Sequence, residues 1–140
     1  ILAALNAWIN EKKENDILNL VDIDPGDLYS ATENTKRLLN AFYKLTVLFQ
    51  TRHLLDPILL LQLRIEKGIK SELKEIISLD RVGRVLGRAL FDSGFKTRES
   101  LYLSSIDDIS KTPHPLITPS FAKKIKEQLK DFESDDPNIR

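Results

Sequence analysis

Arg81, Arg84 and Arg88 fall close together in the segment Leu79-Asp80-Arg81-Val82-Gly83-Arg84-Val85-Leu86-Gly87-Arg88-Ala89-Leu90. The pattern is a short helix, a tight turn with a glycine, then a second helix, the layout of a helix-hairpin-helix element. A glycine in such a turn lets another group approach the backbone. The N–H groups that open the second helix can then donate to a phosphate oxygen. Arg84 and Arg88 are four apart and share a helix face, with Arg81 beside them in the turn. The segment departs from the usual hairpin in one respect: Arg84 and Val85 stand where a second glycine is common. Asp92, four residues beyond Arg88, supports a plainer reading, a surface ion pair worth about 0.2–0.5 kcal/mol.

A second set lies earlier in the chain. Tyr29, Lys36 and Tyr43 recur every seven residues, and Ser30, Arg37 and Lys44 form the adjacent line. Aromatic rings interleaved with cations along one helix side can stack bases and follow a backbone. The competing reading is a solvated face on which Glu33 pairs with Arg37.

Catalytic constellations are missing. The glycines at 26, 68, 83, 87 and 94 do not make a phosphate-binding loop followed by Lys and Ser/Thr. His53 and His114 have no second ligand at a helical spacing, so a zinc site is not expected. With no cysteine in the chain, disulfides, thiolate metal sites and thiol nucleophiles are excluded. Asp107-Asp108 and Asp135-Asp136 are adjacent pairs, which diverge on a helix and read as solvated surface or a cap. No complete active site is expected in this chain.

The elements that position these residues are helical nearly throughout, and the fold class expected is all-α. Ile1, Leu5 and Trp8 mark one helix face. Asp16 is a candidate cap for a short helix carrying Ile17, Leu18 and Leu20. Asp24-Pro25 reads as an N-cap followed by the first helical residue. The longest helix then runs to about residue 51. Leu28, Ala31, Thr35, Leu38, Phe42, Leu45 and Phe49 form its expected packing stripe. Asp56-Pro57 repeats the start signal, and Gly68 can end that helix. Ser71 can cap a helix from Glu72 to Ile77. Val85 to Ser93, Thr97 to Leu103 and Ser105 to Ser110 follow. A last helix begins at Thr118-Pro119, with Phe121, Ile125, Leu129 and Phe132 as its core line. The expected organisation is a helical bundle with one long central helix over 1–70, a small helix-hairpin-helix-like domain over 71–133, and a frayed tail over 134–140. No long repeat stands out.

Charge sharpens the picture. The 140 residues carry 21 basic and 21 acidic side chains, so a protein basic overall is excluded. Residues 1–60 are net −2, residues 61–100 net +3 and residues 101–140 net −1. The basic excess coincides with the hairpin, with Arg64, Lys67, Lys70 and Lys74 leading into it, and suits a local phosphate-contacting patch. No apolar run approaches the roughly 20 residues that span a bilayer. The absence of methionine suggests a piece of a longer protein.

The order of the segments also resembles a known family. Trp8-Ile9 comes first, then Asp24-Pro25-Gly26-Asp27-Leu28 and the long helix. Arg64-Ile65-Glu66-Lys67-Gly68-Ile69-Lys70-Ser71-Glu72-Leu73 follows, and then Gly83 to Phe95. This succession resembles the C-terminal region of archaeal superfamily-two DNA repair helicases of the Ski-two-like group, relatives of the polymerase theta helicase. The resemblance implies that RecA-like motor domains and a winged-helix domain precede this region. ATP and magnesium would be bound there, with no cofactor in the region itself. It implies that the helix from Asp27 to about Thr51 is a ratchet along which a single strand passes. Ser30 and Arg37 match the positions at which the family carries a base-contacting arginine and tryptophan. Arg37 then contacts base or phosphate, and Tyr29 replaces the missing aromatic ring. Arg84 and Arg88 match an arginine run that grips the exiting strand, with Leu86 in place of the middle arginine.

The function implied is a DNA-binding accessory region of an ATP-dependent 3′-to-5′ helicase, guiding and restraining the strand during repair or fork processing. Its implied partners are single-stranded or forked DNA and the motor domains, with no membrane. Its implied location is the archaeal cytoplasm, or the nucleus in a eukaryote. The expected DNA-binding residues are Arg84, Arg88, Arg37, Arg81, Lys36, Tyr29 and Ser30. The alternative is a helical protein-interaction module without DNA contact.

Overall fold

Helix-start and helix-stop residues set the architecture. A computed structural model describes residues 1–130; the expected core residue Phe132, the Asp135-Asp136 pair and the expected tail at 134–140 lie outside the described residues. The fold is all-α, with no strand among the described residues. In order the elements are α1 (Leu2–Ile9), α2 (Glu14–Val21), α3 (Pro25–Leu48), α4 (Leu55–Lys67), α5 (Arg84–Asp92), α6 (Arg98–Leu103), α7 (Ile106–Ser110) and α8 (Pro119–Lys130). Single 3-10 turns stand at Arg52–Leu54, Ser71–Leu73 and Ile76–Ser78. Two compact units divide the chain, the first Ile1–Lys74, the second from Glu75 onward.

In the first unit Asp24 caps α3, Pro25 is its first residue, and the Asp27 carboxylate accepts from the Asp24 N–H at 3.2 Å. Gly68 ends α4 in the left-handed region at φ 63°. Two small cores form around these helices. Ala4, Ala7, Ile17 and Leu28 make one; Leu5, Ala31 and Ile65 make the other, flanked by Leu39 and Leu61. The Trp8 indole N–H donates to the Ile65 carbonyl at 2.8 Å, fixing α1 against α4.

Four expectations need correction. Asp16 does not cap α2: the helix opens one turn earlier after Lys13, and Asp16 sits in its first turn, where an acid favours the helix dipole. Asp56-Pro57 does not open α4, which begins at Leu55 and places that proline in the first turn, where its missing N–H costs nothing. The segment after Ser71 forms two separate 3-10 turns rather than one helix.

The fourth correction concerns the long helix. Leu28 and Ala31 are buried, but Leu38 and Phe49 are each 71% exposed, Phe42 is 48% exposed, and Leu45 is exposed too. The buried side of α3 runs instead through Leu28, Thr32, Leu39 and Thr46, with Thr32 and Thr46 buried and Leu39 half-buried. Those threonine hydroxyls donate to helix carbonyls, Thr32 to Tyr29 at 2.7 Å and Thr46 to Phe42 at 2.9 Å, so their burial leaves no unmet donor. The physical reason is cover: α3 has 24 residues against 8 in α1 and α2 and 13 in α4, so its partners leave part of its apolar surface exposed.

The second unit has one continuous core of Ile76, Leu79, Val82, Leu90, Leu101, Ile109, Ile117, Ala122, Ile125 and Leu129. Thr97 and Ser105 cap α6 and α7 through hydrogen bonds from Ser100 and Asp108 N–H groups, both at 3.1 Å.

Candidate nucleic-acid interface

Three sides of α3 have different chemistry. One side packs on α1, α2 and α4. A second carries the exposed apolar line Leu38, Phe42, Leu45 and Phe49. The third, opposite the core, presents Ser30, Arg37 and Lys44, all exposed, with Tyr29 (67% exposed) on its shoulder. Seven residues are nearly two turns, so this line runs along the helix axis. Lys36 faces differently from Arg37. It is half-buried and pairs with Glu33 at 3.0 Å, and that hydrogen bond raises its pKa above the ordinary lysine value. Glu33 thus pairs with Lys36, where the plainer reading of this face had paired it with Arg37. Between α3 and α4 lies a cleft of about 370 Å³ lined by Glu33, Lys36, Arg37, Asn40, Gln62 and Glu66.

In the second unit the hairpin turn precedes α5. Arg81 takes the left-handed conformation at φ 64°, and its N–H is held by the Asp80 carboxylate at 3.0 Å. The position that suits a second glycine is therefore Arg81, not Arg84 or Val85, which lie within α5. A non-glycine residue there costs about 1–2 kcal/mol. Gly83 is the N-cap of α5 in extended backbone, and a Cβ added to it would meet nothing. Gln128 of α8 clamps the turn: its side chain accepts from the Asp80 N–H at 2.7 Å and donates to the Asp80 carbonyl at 3.2 Å. Arg81 is exposed and Arg84 half-buried. Arg88 bonds to Asp92 at 3.2 Å, lies 5.1 Å from the Phe91 ring centroid, and keeps 25% of its side chain exposed. The ion pair read from sequence spacing is thus present. Arg64 is partly withdrawn from the basic run, since it donates to the carbonyls of Ile69 at 3.2 Å and Ile9 at 3.3 Å.

A short internal repeat escaped the sequence analysis. Val82-Gly83-Arg84-Val85-Leu86-Gly87-Arg88-Ala89-Leu90-Phe91-Asp92 aligns with Ile117-Thr118-Pro119-Ser120-Phe121-Ala122-Lys123-Lys124-Ile125-Lys126-Glu127. Val82 and Ile117 are buried, as are Gly87 and Ala122, and Leu90 and Ile125. The first backbone bonds correspond as well: Gly87 N–H to Gly83 and Ala122 N–H to Thr118, at 2.8 and 2.9 Å. Lys123, exposed, occupies the place of Arg88. The signal was hidden because the loop before Ile117 is much longer than the turn before Val82, and because none of the paired residues is identical. Lys126 has a structural task, donating to the carbonyls of Tyr102 and, at 2.8 Å, Ser104 at the end of α6.

Among the described residues no group of three or more His, Cys, Asp or Glu is placed to hold a metal ion. No described helix is long and apolar enough to cross a membrane. His114 is used locally, its Nδ1 accepting from the Leu116 N–H at 3.2 Å.

Fold and site together define an all-helical region that presents one long helix and a pair of related hairpins. Residues 1–68 match the family described as archaeal helicase, domain 4. The chain is 38% identical over 98 residues to a protein of Pyrococcus abyssi named ATP-dependent DNA helicase Hel308, covering 69% of this chain and 14% of that protein. It is 32% identical over 110 residues to the protein of that name from Caldivirga maquilingensis, covering 77% and 15%. With the one from Aeropyrum pernix it shares 29% over 126 residues, covering 89% and 17%, so that match extends into the second unit. The chain belongs to the archaeal Hel308-like helicases, and it spans about 14–15% of the length of the curated relatives first named.

Proposed function

We propose that this chain is a DNA-binding accessory region of an ATP-dependent 3′-to-5′ DNA helicase, in which α3 guides the single strand and the α5 hairpin restrains it. The observation that carries this reading is the exposed line of Ser30, Arg37 and Lys44, with Tyr29 beside it, in a chain whose relatives are named DNA helicases. Cations spaced along a helix can follow a phosphate backbone while an adjacent ring stacks on a base. Arg81, Arg84 and Arg88 supply a second contact at the hairpin, where the open space at Gly83 admits a phosphate to the start of α5. Lys123 extends that contact to the related hairpin. Lys36 acts more weakly, because Glu33 neutralises it. ATP and magnesium belong to the motor domains of the intact helicase, which with single-stranded or forked DNA are the partners of this region. The location consistent with this role is the archaeal cytoplasm.

Binding of fluorescent single-stranded and forked DNA across a salt series tests the reading. Phosphate contact predicts a log–log slope of about −0.7 per phosphate on single strands. Replacing Arg84 and Arg88 by Ala should flatten it by roughly one to two units. An unchanged slope in that variant removes the hairpin from the interface. A protein-docking role is the second reading, supported by the exposed apolar line Leu38, Phe42, Leu45 and Phe49. Under that reading the fragment binds no DNA at low salt.

A further inference from the structure

The turn before α5 holds an arginine in a conformation that an arginine disfavours. The Val82 N–H donates to the Leu79 carbonyl at 3.2 Å and closes a four-residue turn. Arg81, its third residue, stands at φ 64°, and Asp80 before it does not share that left-handed conformation. This is the pattern of a type II turn, in which glycine is the usual third residue. Rotating the peptide between Asp80 and Arg81 turns a type II turn into type I and returns the third residue to negative φ. Left to its local preference, the turn would make that change and carry the Arg81 side chain with it.

A residue 48 positions away holds the peptide instead. The Gln128 amide spans both backbone groups of Asp80, its Oε1 accepting from the N–H at 2.7 Å and its Nε2 donating to the carbonyl at 3.2 Å. That carbonyl belongs to the same planar peptide unit as the Arg81 N–H, which the Asp80 carboxylate accepts at 3.0 Å. Two hydrogen bonds are of the same order as left-handed strain, so one amide is enough to decide the conformation. Glutamine suits this task because its amide carries an acceptor and a donor side by side. Its anchorage is firm. Ile125 and Leu129 bury α8 in the core on either side of Gln128, and Lys126 ties the same helix to the Tyr102 and Ser104 carbonyls. The residue held in this way, Arg81, is exposed.

We infer that Gln128 is a positioning residue for strand binding: from α8 it fixes the Asp80–Arg81 peptide so that the Arg81 guanidinium meets a phosphate at the α5 hairpin. Gln128 itself touches no nucleic acid. The inference rests on the proposed contact of the hairpin with DNA.

The test is a double-mutant cycle on the 140-residue chain, read by binding of fluorescein-labelled oligo(dT) across a salt series. Gln128→Met keeps the aliphatic stem and removes both bonds. It should weaken binding about fivefold and flatten the log–log slope by about 0.7, the loss of one phosphate. Arg81→Ala should do the same, and the double variant should bind no worse than either single one. Losses that multiply in the double variant overturn the inference, because Gln128 then acts independently of Arg81. Unchanged binding by Gln128→Met also overturns it, and the hairpin contact survives if Arg84→Ala with Arg88→Ala still flattens the slope. An unchanged slope in every variant overturns both readings together. An NMR titration of the unaltered chain covers the case in which Gln128→Met does not fold. Oligo(dT) should shift the Arg81 backbone amide and the Gln128 side-chain amide with one midpoint, and an Arg81 resonance that does not move overturns the inference.

Discussion

The two units solve the burial problem differently. In the second, short helices of 5 to 12 residues each place at least one large side chain in a shared core: Leu90 from α5, Leu101 from α6, Ile109 from α7, Ile125 and Leu129 from α8. In the first, α3 has 24 residues and its partners are shorter, 8 in α1 and α2 and 13 in α4. At 1.5 Å per residue α3 is about 36 Å long and α4 about 20 Å. An element that outruns its partners must leave part of its surface uncovered. Here the uncovered surface has two parts, a polar line opposite the core and an apolar line on one flank. The short-helix unit is thus organised to hold its turns in place, and the long helix to present residues along its length.

Substitutions can break that contrast. The largest expected effect is Leu90→Ala, which opens a cavity in the closed core and should cost about 3 kcal/mol in urea unfolding. Leu38→Ala on the uncovered flank of α3 removes the same side chain and should change stability by less than about 0.5 kcal/mol. Equal losses at the two positions would mean that the flank is packed. Lys126→Met should cost about 1.5 kcal/mol, because the α6 carbonyls lose a charged donor while the aliphatic stem is kept.

A smaller effect of opposite sign is expected at the hairpin turn. Arg81→Gly relieves the left-handed strain but adds freedom to the unfolded chain, for a net gain of about 0.5 kcal/mol. The same change should weaken DNA binding, which separates the turn's stability from its proposed contact. The smallest effect concerns acid. Hydrogen bonds from Ser105, then Lys111, hold the Asp108 carboxyl below the ordinary aspartate range. Its contribution is present above the unfolded-state pKa and is lost as the pH falls through the lower folded value. An NMR titration should therefore place the Asp108 midpoint below that of an unperturbed aspartate, and Ser105→Ala should raise it.

Much of the local structure was legible because it depends on neighbours in sequence. Asp24-Pro25, Thr97, Ser105 and Thr118 start helices, and Gly68 stops one, through bonds that close within a few residues. The exposed positions of Tyr29, Ser30 and Arg37 also followed from helical spacing. The inner line of α3 did not. A search for large apolar residues selects Leu38, Phe42, Leu45 and Phe49, yet the buried side of α3 runs through Leu28, Thr32, Leu39 and Thr46, two of them threonines. Nor did the sequence reveal that Arg64 and Lys126 turn toward backbone carbonyls 55 and 22 residues away. Long cations look the same in sequence whether they face water or cap a distant helix.

By itself, then, the sequence determined that the chain is helical, where most helices begin, and which cations and rings share a helix side. These are properties of the 3.6-residue repeat and of hydrogen bonds made within one turn. Tertiary structure decided which side of α3 is covered, and that Gln128 pins the hairpin turn. Those outcomes depend on the lengths and crossing of separate helices, which no local pattern encodes. The cleft of Asn40, Gln62 and Glu66 belongs to the same class, since it joins side chains from two helices that only packing brings together.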